Sequence, residues 1–83
     1  MDDTKNNVLK RLGRIEGQVR ALQRMVASEA DYVAITTQIA AVQAAISKAG
    51  LELFRASVEQ ELALDSPGPD QVDAIVKAAG KLL

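Results

Sequence analysis

VLKRLGRIEGQVRALQRMV, residues 8–26, sets Val8, Leu12, Ile15, Val19, Leu22 and Val26 at successive steps of 4, 3, 4, 3 and 4. That is the a/d seam of a heptad pattern, so the spacing predicts an amphipathic helix from about Thr4 to Ala27. Asp2, Asp3 or Thr4 can cap it, because a short polar side chain there accepts a hydrogen bond from the first free backbone N–H groups. SEAD comes next, at residues 28–31. Ser28 with Asp31 three residues on resembles a capping box, and Asp31 could itself be the N-cap. Either way a second helix begins near Tyr32.

This second helix contains no proline and runs to about Leu62, a length of roughly 45 Å at 1.5 Å per residue. Its seam opens as Ile35, Ile39, Val42 and Ile46, again at steps of 4, 3 and 4. Past Gly50 the stripe shifts to Leu51, Phe54, Val58 and Leu62. The shift implies either a bend at Gly50, where glycine costs about 1 kcal/mol relative to alanine, or a change of packing partner midway. SPGPD at residues 66–70 is the strong breaker. A short third helix is expected from about Asp70 to Leu82, with Val72, Ile75, Val76 and Ala79 on one face; at this length it must dock on the others.

The chain therefore reads as all-α, one helical domain over residues 1–83. It has 83 residues, no cysteine and no histidine, so neither disulfides nor the usual structural zinc sites can supplement a small core. Three helices, one of them very long, leave half of the long apolar stripe in water. Two copies of the first two helices, packed as an antiparallel four-helix bundle, would remove that exposure. A homo-oligomer is expected on this ground. The N-terminal MDDTKNN is polar with no apolar run behind it, and nothing approaches the roughly 18 apolar residues of a membrane span. A cytoplasmic protein without a membrane partner is the expectation.

Net charge is −1, but the charge is unevenly placed. Residues 1–25 hold Lys5, Lys10, Arg11, Arg14, Arg20 and Arg24 against Asp2, Asp3 and Glu16, while the rest of the chain is acidic. On a helical wheel Lys10, Arg14, Arg20 and Arg24 lie opposite the apolar stripe, with Arg11 on its flank. Gly13 and Gly17 share that outer face and would let a phosphate chain approach. A charged outer face is ordinary for any amphipathic helix. Here it is nearly pure positive, which is what binding to phosphates by counterion release requires. No aromatic interleaves it, which argues against single-strand stacking. An enzyme is not expected: histidine, cysteine, glycine-rich phosphate loops and serine motifs are all missing. Glu59 and Glu61, two apart on a helix, point to different sides.

RLGRIEGQVRALQRMV (residues 11–26) and DYVAITTQIAAVQAAISKAGLELF (residues 31–54) resemble the first two helices of the CsoR-type, copper-sensing-repressor family. The resemblance implies a three-helix protomer that dimerises and usually pairs again into a flat dimer-of-dimers tetramer. It implies a transcriptional repressor that holds double-stranded operator DNA on basic faces. The family's DNA-contact positions match Arg11, Arg14 and Lys48; Lys10, Arg20 and Arg24 are added from the wheel.

The effector site departs from the family pattern. The resemblance places a cysteine at Val33 and, from the partner chain, a histidine at Ser57 and a cysteine at Glu61. Valine cannot ligate, and copper(I) prefers sulfur or imidazole, leaving only the thioethers of Met1 and Met25. No cofactor and no tight copper(I) binding are expected. Tyr32, Val33, Ser57 and Glu61 then either line a pocket for a different effector or are vestigial, with Val33 in a core and Ser57 and Glu61 on a helix surface. The rival to a DNA-binding regulator is a helical interaction protein that hetero-oligomerises with a sensing relative.

Overall fold

The computed structural model describes residues 2–62 and 68–82, without the side chains of Asp2 and Leu62. Three helices succeed one another: α1 (Asp2–Ala27), α2 (Tyr32–Leu62) and α3 (Pro69–Leu82). Met1 and the breaker residues Ser66 and Pro67 lie outside the described residues, so their expected roles do too.

α1 starts at Asp2, which puts Asp3 and Thr4 inside its first turn rather than at its cap. Its C-terminus closes in a Schellman motif: Ala30 N–H donates to the Met25 carbonyl at 2.9 Å and Glu29 N–H to the Val26 carbonyl at 3.1 Å. Glu29 takes the left-handed conformation this motif requires, with φ 58°. Ser28 belongs to this helix end, its hydroxyl donating to the Met25 carbonyl at 3.2 Å. The capping-box alternative is thereby replaced by the simpler one. Asp31 is the N-cap of α2, its Oδ2 accepting from Val33 N–H at 3.1 Å and Ala34 N–H at 3.3 Å. α3 opens with Gly68 before Pro69, and the Gln71 side-chain oxygen accepts from Gly68 N–H, as in a capping box.

Among the described residues, α1 packs on α2 alone. The residues it turns toward α2 are one row of its seam: Val8 and Ile15 are 5% and 7% exposed, and Leu22 is half-buried. The other row faces away, with Val19 at 38% and Leu12 and Val26 more exposed still. α2 answers with Ile35, Gln38, Val42, Ala45, Ala49, Glu52 and Ala56, spaced 3 and 4 alternately and all buried or half-buried. Two polar links mark the antiparallel register: Gln38 Nε2 donates to the Gln18 carbonyl at 3.3 Å, and Arg11 pairs with Glu52.

The expected α2 seam is therefore half right. Ile35 and Val42 face α1, whereas Ile39 and Ile46 are exposed. A single neighbouring helix covers one flank of a heptad stripe, and the small residues Ala45 and Ala49 take that flank because they allow close approach.

Over its second half α2 gains α3 as a neighbour on a further face, while Glu52 still pairs with Arg11 of α1. The helix continues unbroken through Gly50. A Cβ at Gly50 would lie 2.5 Å from Leu82 Cδ2, so the end of α3 lies against this glycine, although only the tip of a flexible side chain meets it. The shift in the apolar stripe thus reflects the added partner α3. α3 itself buries no residue fully. Ile75 and Ala79 are half-buried, but Val72 and Val76, expected on the same docked face, are exposed. The cleft side of α3 is instead formed by Gln71, Ala74, Ile75, Ala78 and Leu82.

The protomer measures 55 × 25 × 13 Å, which is one helix thick. Its radius of gyration is 16.8 Å, against about 12 Å for a compact domain of this length. Its accessible surface is 6519 Å², against about 4,800 Å² for a compact monomer of this mass.

Candidate nucleic-acid interface

Helical periodicity puts Arg11, Arg14 and Gln18 on the flank of α1 beside the row that meets α2. The antiparallel register brings Lys48 of α2 level with them. The result is a shallow groove along the α1–α2 junction, lined by Arg11, Arg14, Ile15, Gln18, Ala41, Ala44, Ala45 and Lys48. Alanines form its α2 wall, so the cationic side chains rise from a low floor. A second hollow continues it over Arg11, Lys48, Leu51, Glu52 and Arg55.

The three positions implied by family resemblance thus converge, although they come from different helices. The additions from the wheel do not join them. Arg20 lines a separate hollow with Leu12, Glu16, Val19 and Gln23. Lys10 and Arg24 are exposed elsewhere on α1. Arg55 was missed by the sequence reading. Its signal was present, since it stands seven residues after Lys48 and so on the same α2 face.

One anionic group enters this surface. Arg11 Nε donates to Glu52 Oε2 at 2.8 Å, with the two side chains 45% and 25% exposed. A half-exposed pair of this kind contributes little to stability. Its effect is geometric: it holds the Arg11 side chain against the groove wall and uses one of five guanidinium N–H donors.

The four effector-position residues fall into two groups in the protomer. Tyr32 and Val33 stand exposed at the start of α2, Val33 at 72%. Ser57 and Glu61 line a cleft between α2 and α3. Along α2 the groups are separated by about 36 Å at 1.5 Å per residue, so one chain cannot unite them. Val33 is not core within the protomer, and Glu61 is not plain helix surface, because its Oε2 is buried. Among the described residues, no cluster of three or more His, Cys, Asp or Glu could hold a metal ion. The donor set of valine, serine and glutamate does not fit a soft cation.

Comparison with known proteins places this geometry in a lineage. Over 79 residues, 90% of this chain and 82% of the other, it is 37% identical to the copper-sensing transcriptional repressor RicR of Mycobacterium tuberculosis. Over 50 residues it is 49% identical to the copper-sensing transcriptional repressor CsoR of Bacillus subtilis. That second match spans 60% of this chain and only 50% of the Bacillus protein. No solved structure matches the chain. Residues 4–82 match the family described as metal-sensitive transcriptional repressor, a family of regulators and not of enzymes. On that match, which takes in all three helices and the groove between the first two, the chain belongs to the metal-sensitive transcriptional repressor family.

Proposed function

We propose that this DNA-binding repressor, one domain over residues 1–83, grips duplex DNA with the α1–α2 groove. Arg11, Arg14 and Lys48 are its phosphate contacts, and Lys10, Arg20 and Arg24 are outlying ones. The observation that carries the reading is the convergence of Arg11, Arg14 and Lys48 on one groove from two helices. The protein acts where its DNA is, in the cytoplasm, and no helix among the described residues is long and apolar enough to cross a membrane.

The DNA-binding unit is an oligomer. The exposed row Leu12, Val19 and Val26 of α1 lies beside the exposed Ile39 and Ile46 of α2. Pairing this face with that of a second copy makes an antiparallel four-helix bundle. A dimer of such dimers gives the flat tetramer and repeats the groove along the DNA. Family membership favours this reading over a helical adaptor that has lost its DNA surface.

The test is fluorescence anisotropy at several salt concentrations, on a promoter fragment captured from sheared genomic DNA. Arg14→Ala and Lys48→Ala should each weaken binding on every sequence tried and lower the slope of log K against log salt by about one. Helicity and oligomer size should not change. Variants that bind as the parent does would place the DNA surface elsewhere.

A further inference from the structure

Between the second half of α2 and α3 lies a cleft of about 450 Å³ that the groove does not use. Its size is that of small-molecule sites, and so is its lining, apolar with few polar groups. Leu53, Phe54, Ala74, Ile75, Ala78 and Leu82 supply the walls. The Gly50–Leu82 approach makes α3 antiparallel to α2, so Glu61 and Gln71 stand at one end and Lys81 and Leu82 at the other.

Glu61 is the unusual member. Its Oε2 is shielded from solvent and has no hydrogen-bond partner among the described residues. Buried polar atoms are nearly always paired, and an unpaired one calls for a partner. A carboxylate accepts only, so the missing partner is a donor, and a charged donor gives the stronger bond. A metal ion is a poor fit, because the cleft walls are hydrocarbon and offer no second acidic or soft donor. An anion is excluded by the carboxylate itself. Lys81, about 16 Å further along the cleft by helix rise, is too distant to serve within the protomer.

We infer that the α2–α3 cleft binds a small organic cation with an apolar body, of the alkylammonium or arylalkylammonium class. Its ammonium group sits on Glu61 and its hydrocarbon lies along Phe54, Ile75 and Ala78. The chain's cue is then an amphipathic amine rather than a metal. Calling the ligand an effector rests on the repressor reading; the binding itself does not.

The experiment uses the full chain without DNA, so its failure would leave the DNA reading untouched. Isothermal titration compares three probes with one body: 4-phenylbutylammonium, 4-phenylbutanol and 4-phenylbutyrate. The cation should bind one per protomer, at least tenfold more tightly than the alcohol, and the carboxylate should not bind measurably. Glu61→Gln should bring cation and alcohol within twofold of each other, while the control Glu59→Gln, at an exposed carboxylate, keeps the preference. Ala78→Phe fills the cleft from the α3 side and should abolish binding of the cation and the alcohol without loss of helicity, which keeps the test decisive should Glu61→Gln fold poorly. Equal binding of the three probes, no binding of the cation, or undiminished binding by Ala78→Phe would overturn the proposal.

Discussion

Val33, Ser57 and Glu61 show how much one side chain can decide. The family is described as metal-sensitive and two relatives as copper-sensing, yet this chain has neither cysteine nor histidine. A soft monovalent cation gains little from one carboxylate oxygen and a neutral hydroxyl. Titration with copper(I) against a competing chelator should therefore show no stoichiometric tight complex; one that survived the competitor would mean that the two methionine thioethers, Met1 and Met25, form a site. At the same scale, Glu52 illustrates what a tally of basic residues misses. The groove is positive by count, but one of its arginines is already held by an acid.

At the scale of the element, each helix end carries a local explanation. The α1–α2 turn works because Met25 and Val26 carbonyls are satisfied from Ala30 and Glu29, and because Asp31 caps the first turn of α2. Its weak point is Glu29, a residue with a Cβ at φ 58°. Left-handed backbone costs L-residues roughly 1–2 kcal/mol, and glycine escapes that at some entropic cost in the unfolded chain. Glu29→Gly should raise stability by about 0.5–1 kcal/mol in denaturant titrations at fixed protein concentration; a loss of stability would mean that the Glu29 side chain makes a contact in the oligomer. The heptad steps of α1 and α2 were legible as helices from spacing alone. Which row of each seam meets the other was not, because both rows are equally apolar. The choice fell to Ala45 and Ala49, whose small volume lets the helices close on that side.

For the whole molecule the decisive quantity is thickness. A layer 13 Å deep has no second layer to cover its apolar face. The surplus of about 1,700 Å² over a compact monomer is comparable with one partner's share of an obligate interface. Sedimentation should accordingly give a dimer or tetramer. Val19→Asp would place an unpaired carboxylate in the proposed bundle interface at a cost of several kcal/mol, shifting the dissociation midpoint by about two or more orders of magnitude. A parent protein that sediments as a well-folded monomer would refute the bundle.

Periodicity and composition by themselves determined that this chain is helical, about where its helices begin and end, and that cysteine and histidine are missing. These are properties of spacing and chemistry, and both are carried along one dimension. The groove of Arg11, Arg14 and Lys48, the place of Arg55 and the contact of Gly50 with Leu82 were decided only by tertiary structure. So was the cleft around Glu61. Each depends on which face of one helix meets which face of another, and equivalent apolar rows leave that choice open until side-chain volumes select the closest packing.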